Sequence, residues 1–422
     1  MQLGENKMKS AVLAAIGDEL LSGMRQEANC SFLAWCLHDA GWTVLRVEVI
    51  PDEDPQISDL LERWVGKTDL LVLSGGLGPT HDDRTRDALA RYLGCGLRSD
   101  PLYDRVLARY DGERLERLKR VRDTQSMIPS AAEAVYNPEG SALGIAFERG
   151  GTRVLSLPGV PMEYEAMVRQ ELPELFETSC GWASVSVIGL PETTVVDRIP
   201  EVIGDPSLHV SVLPSFSHVE LIVRGTPERV MEAEALIRGR FTDVLPAGCR
   251  SLPDAVLSEA RERGRTISCA ESCTGGLIQG ALTDIPGCSD VFMGGVVTYS
   301  NEAKMKLLGV PQELLERYGA VSRECALAMA EGVLRLHDTD IAVSVTGVAG
   351  PDGGTPEKPV GCVWIGLALR ANGEVKSAAS HRLLRGGRGE VRERAVKLAL
   401  AGLWRTARDG ALPPDDLEQR SK

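Results

Sequence analysis

Short apolar runs that end in glycine-bearing loops constrain this chain more than any other feature. Ala11 to Ile16 stops at Gly17, and Asp69 to Leu73 runs into Gly75-Gly76. Thr266 to Ala270 leads into Glu271-Ser272-Cys273-Thr274-Gly275-Gly276, and Asp340 to Val345 meets the loop Gly347 to Gly354. Runs this short and continuous suit strands covered on both faces, with helices between them as the cover. In the first half, a helical pattern starts at Asn29 with Phe32, Leu33, Cys36 and Leu37 on one side and closes at Gly41. The β-branched run Thr43 to Ile50 and the helix-like Ile57 to Val65 follow it. This alternation predicts an α/β chain built on parallel sheets, with ligands at the carboxyl ends of the strands.

The serine turn carries the sharpest chemistry. A serine on a strand-to-helix turn stands in the open, and small residues after it let backbone N–H groups of Gly275 and Gly276 face an anion. Serine needs a base to act as a nucleophile. No histidine follows Ser272 until His337, whereas Thr298-Tyr299-Ser300-Asn301-Glu302-Ala303-Lys304 offers a lysine and a tyrosine. A lysine base must be neutral part of the time, so burial or a cationic neighbour such as Arg388 has to lower its pKa. Bland readings compete at each position. Ser272 could cap a helix, Lys304 could sit in a solvated first turn, Tyr299 could be a core or edge-strand aromatic, and Arg388 could open a solvated helix. The loop Thr346-Gly347-Val348-Ala349-Gly350-Pro351-Asp352-Gly353-Gly354 suits a phosphorylated or sugar-bearing ligand.

In the first half, two loops leave the carboxyl ends of strands: Gly17-Asp18-Glu19 and Ser74-Gly75-Gly76-Leu77-Gly78-Pro79-Thr80-His81-Asp82-Asp83. Glycines at 75, 76 and 78 let backbone amides approach a phosphate, and Asp82 with Asp83 could hold a bridging divalent cation. Capping of the helix that starts near Thr85 is the competing use of these two acids. Asp18 and Glu19 would face the same crevice.

A length of 422 residues calls for two or three domains. The net charge of −13 argues against wholesale nucleic-acid binding but leaves room for phosphorylated small molecules held by local arginines. Ten cysteines occur without the paired spacing of a zinc or redox site, and Cys36, Cys269 and Cys325 lie inside apolar patterns. Cys273 lies within the helix start and reads as packing. Met1 to Ser10 has no secretory h-region, and no run approaches the roughly 20 apolar residues of a membrane span. A cytoplasmic protein is the expectation.

Taken together, these segments resemble the CinA family. The segments Ala270 to Gly276, Val297 to Lys304, Gly319 to Ser322, Gly347 to Gly354, Lys358 to Gly361 and Gly387-Arg388 are similar to its nicotinamide mononucleotide deamidase (PncC) domain. The 74–83 loop, Asn137, Gly140, Gly144 and Leu157 to Glu163 resemble the molybdopterin-binding fold of the MoaB and MogA type. The resemblance implies three parts: a MoaB/MogA-like parallel-sheet domain over 8–172, a small α+β KH-like domain over 173–249, and an α/β CinA C-terminal domain over 250–410. In the KH-like part no GxxG loop with basic flanks suggests RNA binding, so a spacer or dimer contact is expected. The resemblance further implies hydrolysis of the nicotinamide mononucleotide amide, with Ser272 as nucleophile and Lys304, Tyr299 and Arg388 around it. Glu271, Thr274, Gly275, Gly276, Thr346, Gly347, Gly350, Asp352, Gly353 and Gly354 would then contact substrate, without a cofactor.

For the first domain the resemblance implies either a pterin-like ligand or hydrolysis of ADP-ribose with a divalent cation such as magnesium. Its site would comprise Asp18, Glu19, Glu27, Asn29, Gly75, Gly76, Gly78 and Thr80, with Asp82 and Asp83 on the metal. Two positions depart from the family pattern: Glu27 stands where an aspartate is usual, and Leu143 replaces a proline. The expected partners are small nucleotides and a second copy of the chain, with no stable nucleic acid and no membrane. A binding or regulatory protein of the competence and damage kind is the alternative function.

Overall fold

The computed structural model describes residues 9–80, 83–176, 181–249 and 251–413. They fall into two compact units, 1–182 and 183–422.

The first unit is built on a six-stranded sheet. Strands Ser10–Ile16, Thr43–Ile50, Leu70–Ser74 and Thr152–Leu157 run parallel, and Gly144–Arg149 with Glu133–Val135 continue it antiparallel at one edge. Side-chain alternation on the buried first strand decides which helices cover which face. Ala11, Leu13 and Ala15 pack with Leu33 and Leu37 of the helix Asn29–Asp39 and with Met167 of Pro161–Glu171. Val12, Ala14 and Ile16 pack on the opposite face with Leu60 and Leu61 of Asp54–Trp64 and Leu89 of Thr85–Leu93. The expected layering of helices on both faces is present. The antiparallel edge pair is an addition, made by a tight turn at Gly150-Gly151 instead of a helical crossover.

The second unit holds two sheets. Residues 182–249 contribute a three-stranded sheet of Trp182–Ile188, His209–Pro214 and His218–Arg224 with the helix Pro227–Arg240. Their core is their own, centred on Val185, Leu221 and Ile237. Asp243 ties this part to the long C-terminal helix through Arg405 at 2.9 Å and Arg408 at 3.0 Å.

The other sheet has five strands. Ile267–Glu271 lies between Phe292–Val297 at one edge and the middle strand Ile341–Gly347, both parallel to it, and antiparallel Cys362–Ala371 and Glu374–Leu383 complete the sheet. Helices Leu252–Glu262 and Arg388–Asp409 cover one face, and Asn301–Leu308 with Arg323–Leu336 cover the other. Glu271 pairs with both Val297 and Val345, so the residues after these three strands emerge side by side. Among the described residues, no helix is long and apolar enough to cross a membrane. Cys36, Cys269 and Cys325 are buried as expected.

Candidate functional site

At the carboxyl end of the strand Ile267–Glu271, the chain turns at Ser272, whose N–H donates to the Val345 carbonyl at 2.9 Å. The following helix, Leu277–Thr283, is capped at Gly276, so Ser272 is not its cap. Gly276 has a φ of 99°, a left-handed turn that favours glycine. The side chain of Ser272 instead meets Lys304, whose Nζ lies 3.1 Å from Ser272 Oγ.

Lys304 comes from the helix Asn301–Leu308, where Ser300 Oγ accepts from the Ala303 N–H. Only 1% of Lys304 is exposed, so it is no solvated first-turn residue. Its Nζ donates to the Thr298 carbonyl at 2.7 Å and approaches the Tyr299 carbonyl at 3.4 Å. Burial lowers its pKa below the ordinary lysine value, with small opposing effects from Cys325 and Cys273. Arg388 is therefore not the group that depresses Lys304. It is exposed at the first turn of Arg388–Asp409, donating to the Gly350 carbonyl at 2.8 Å and to Tyr299 Oη at 3.1 Å. Tyr299 is 62% exposed. The geometry is a buried Ser272–Lys304 pair beneath an exposed Tyr299–Arg388 pair.

Several expected substrate contacts have other work. Glu271 is fully buried, and its carboxylate accepts from the N–H groups of Gly276 at 2.9 Å, Ile278 at 3.1 Å and Gln279 at 2.9 Å. A carboxylate at a helix N-terminus is favoured by those otherwise unpaired donors. Glu271 is thus a brace for the turn and not a ligand contact. The same bonds remove Gly276 as an oxyanion donor, and Gly275 N–H donates to the Ser272 carbonyl at 3.1 Å. Among the described residues the backbone N–H groups of Cys273 and Thr274 form no backbone hydrogen bond.

Thr346 Oγ1 donates to the Ala320 carbonyl at 2.8 Å, and Gly347 packs against the neighbouring strand, where a Cβ would meet the Cys362 carbonyl at 2.8 Å. The Thr346 hydroxyl is thus engaged at the end of its strand, and Gly347 allows the close approach of the neighbouring strand. Asp352, Gly353 and Gly354 are exposed in the loop beyond Gly350. Cys273 is buried and its thiol is pushed up to about 11, in keeping with a packing role.

Sequence reading missed Arg392. It lies one helical turn beyond Arg388, and its Nη2 donates to the Thr274 carbonyl at 2.9 Å. The i,i+4 spacing of the two arginines was the available signal.

In the first unit, the ends of the parallel strands surround a cavity of about 610 Å³. Asp18, Glu19, Glu27, Asn29, Gly75, Gly76, Gly78, Thr80 and Asp83 all line it, as does Asp52 directly after the strand Thr43–Ile50. Asp82 and His81 lie outside the described residues. Gly76 has a φ of 66°, and a Cβ there would lie 2.0 Å from Thr85 Oγ1, so a larger residue would break the loop. Two of the three expected phosphate-facing amides are already used: Gly75 N–H donates to Leu157 at 3.0 Å and Gly78 N–H to Asp83 at 2.7 Å. Gly76 and Leu77 N–H groups have no acceptor among the described residues.

Asp83 also accepts from the Thr80 N–H at 2.9 Å and from its hydroxyl. It fastens the loop, in place of the exposed metal carboxylate expected, and it does not cap the helix Thr85–Leu93. Glu27 accepts from the N–H groups of Cys30 and Ser31 at the start of Asn29–Asp39, which explains the longer acid at that position. Asp52 is pushed up to about 6, chiefly by burial and then by Asp83, Asp18 and Glu19, against a bond from the Arg84 N–H. Such crowding of oxygens suits a hard cation chemically. Among the described residues, however, no three His, Cys, Asp or Glu side chains converge as a ready metal cage.

Comparison with known proteins follows the same division. A family described as CinA C-terminal domain matches residues 250–407, and one described as Probable molybdopterin binding domain matches residues 12–177. A CinA-like protein of Chlorobium luteolum is 37% identical over 415 residues, covering 93% of this chain and 96% of that one. The chain belongs to the CinA family. Another CinA-like protein, from Chlorobaculum tepidum, is 38% identical over 93% of this chain and 97% of its own length. Among solved CinA-family structures, the competence/damage inducible protein CihA from Agrobacterium tumefaciens is 46% identical, covering 37% of this chain and 93% of its own, with a TM-score of 0.34. In CinA-family terms, the Ser272–Lys304 pair lies in the C-terminal domain and the 610 Å³ cavity in the molybdopterin-binding-like domain.

Proposed function

We propose that the C-terminal domain hydrolyses the amide of nicotinamide mononucleotide to nicotinate mononucleotide and ammonia. The observation that carries this reading is the buried lysine amine 3.1 Å from a serine hydroxyl, with no carboxylate among its bonded partners. In its neutral form Lys304 keeps two N–H groups for the Thr298 and Tyr299 carbonyls and turns its lone pair to the Ser272 hydroxyl. Ser272 Oγ then attacks the amide carbon while its proton passes to Lys304. The oxyanion meets the N–H groups of Cys273 and Thr274, and collapse expels ammonia with the proton returned by Lys304. Lys304 next takes a proton from water, the hydroxide attacks the acyl-serine, and the carboxylate product leaves with Ser272 restored. Arg388 and Arg392, donors near the turn, favour a substrate that carries phosphate. Mass spectrometry of acid-quenched protein tests this mechanism. A nicotinoyl-nucleotide adduct on the peptide containing Ser272 is expected, and turnover without any adduct on Ser272→Ala-sensitive sites would contradict it.

A second reading concerns the N-terminal cavity, which we propose takes ADP-ribose and cleaves its pyrophosphate with a divalent cation. The Gly76 and Leu77 amides, which have no acceptor among the described residues, stand beside a carboxylate-lined wall and favour it. The carboxylates of the wall would meet such a cation together with the pyrophosphate oxygens, and when bound it would neutralise pyrophosphate charge. Release of AMP from ADP-ribose, abolished by chelation, is the test. Binding without turnover would favour the pterin-type or regulatory alternative.

A further inference from the structure

The N-terminal cavity is built to receive hydrogen-bond donors. Its wall includes Asp18, Glu19, Glu27, Asp52, Asp83 and Glu163 against Arg25 alone. Two amide side chains on the same wall carry oxygens without any donor among the described residues: Asn29 Oδ1 and Gln125 Oε1. Asn29 is 6% exposed and Gln125 3%. The orientation of Asn29 follows from its partners, because Nδ2 donates to Ser74 Oγ at 2.8 Å and to the Gly159 carbonyl at 2.9 Å. A backbone carbonyl can only accept, so the end of the amide that faces Gly159 is Nδ2 and its oxygen is the end left over. Gln125 closes the short helix Arg122–Gln125, which nothing in the sequence reading connected to the cavity.

Leaving buried acceptors unpaired is unfavourable, and a ligand bringing O–H or N–H groups removes that cost. Among the described residues the cavity lining contains no aromatic side chain or histidine. Sugar hydroxyls meet the demand better than a ring does. We propose that Asn29 and Gln125 form a specificity subsite that reads the ribose hydroxyls of a nucleotide whose phosphate approaches the Gly76 and Leu77 amides. The inference rests on the nucleotide reading of this cavity and is independent of chemistry at Ser272. It makes Gln125 a recognition residue of the first domain, with Asn29 both fastening the Ser74 and Gly159 loops and presenting its oxygen.

The test is calorimetric titration of the full chain with AMP and with 2′,3′-dideoxy-AMP, each with magnesium, repeated on Gln125→Met. Wild type should bind AMP at least about tenfold more tightly than the dideoxy analogue, the order expected for hydroxyls that satisfy buried acceptors. In Gln125→Met, checked for folding by its thermal melt, that preference should fall at least threefold, because the thioether fills the space without the acceptor. Equal binding of the two ligands to wild type would overturn the subsite, as would a preference unchanged in Gln125→Met or no AMP binding at millimolar concentration. ADP-ribose turnover is scored separately. Turnover without hydroxyl discrimination sinks the subsite alone, and discrimination without turnover sinks the pyrophosphatase reading alone.

Discussion

The two CinA-family domains solve the same architectural problem with opposite chemistry. Each gathers its candidate site at the carboxyl ends of parallel strands, where the sheet holds loops side by side. Around Ser272, among the described residues, the groups left without partners are the donor Arg392 Nε, the Cys273 and Thr274 N–H groups, which form no backbone hydrogen bond, and the Thr274 and Thr298 hydroxyls, which can donate or accept. Around the N-terminal cavity they are mostly acceptors, the oxygens of Asn29 and Gln125 among crowded carboxylates. Burial also acts in opposite directions, lowering Lys304 toward the neutral amine and raising Asp52 toward the neutral acid. Glycine-rich turns after strands are therefore only a frame. What the frame admits depends on which backbone amides the neighbouring acids have already taken, as Glu271 does in one domain and Asp83 in the other.

Substitutions can break this contrast. The largest effect is expected at Lys304. Lys304→Met should lower the rate of amide hydrolysis by about a hundredfold to ten-thousandfold, the range of a lost general base. It should also raise the melting temperature, because a buried amine becomes an apolar side chain of similar length. Loss of activity with a lowered melting temperature would mean that Lys304 is structural.

Glu271→Gln comes next. Removing the charge from three helix N–H groups should cost on the order of 1–3 kcal/mol in chemical denaturation. Activity should fall through a displaced Ser272 turn, and the N-terminal cavity should bind as before. A variant as stable as wild type would show that the brace is unimportant.

Asp52 gives the opposite sign. Its folded pKa of about 6 lies above the ordinary carboxylate value of 3.8, so the folded state holds the proton more tightly. Its ionisation therefore destabilises the fold increasingly as pH rises from about 4 through about 6. Asp52→Asn should stabilise the chain at pH 7 by on the order of 1 kcal/mol, allowing for solvent screening of a half-exposed group, and the gain should vanish near pH 4. A destabilised variant at pH 7 would place Asp52 in an unseen favourable pairing.

The smallest effect concerns pH and the C-terminal site. Because Lys304 must be neutral to accept the serine proton and its pKa is depressed, kcat/KM should rise with pH along a limb centred below the ordinary lysine range. A profile flat from acid to neutral pH would remove Lys304 as the base.

Much of this contrast was legible in the chain itself. The runs Ala11 to Ile16 and Thr266 to Ala270 announced buried parallel strands because both their faces are apolar, and the spacing from Ser272 to Lys304 carried the resemblance that joined them. The sequence did not show where the amides go. Glu271, Thr346 and Asp83 looked like ligand contacts because acids and hydroxyls beside glycines suit both ligands and turns, and only their bonded partners separate the two uses. Gln125, Asp52 and Arg392 were missed for a different reason. Gln125 and Asp52 lie in segments without glycine punctuation, whereas Arg392 follows Gly386, Gly387 and Gly389 and shows only in its spacing from Arg388. The antiparallel pairs Gly144–Arg149 with Thr152–Leu157 and Cys362–Ala371 with Glu374–Leu383 also went unread, since their apolar runs resemble those of parallel strands.

The most direct test of the central claim is ammonia release from nicotinamide mononucleotide by the full chain in the presence of a chelator, with wild type beside Ser272→Ala. The account predicts one ammonia per nicotinate mononucleotide in wild type and a loss of about a thousandfold or more in Ser272→Ala, the scale of a missing nucleophile. Release that persists in Ser272→Ala, or none from folded wild type, would contradict it.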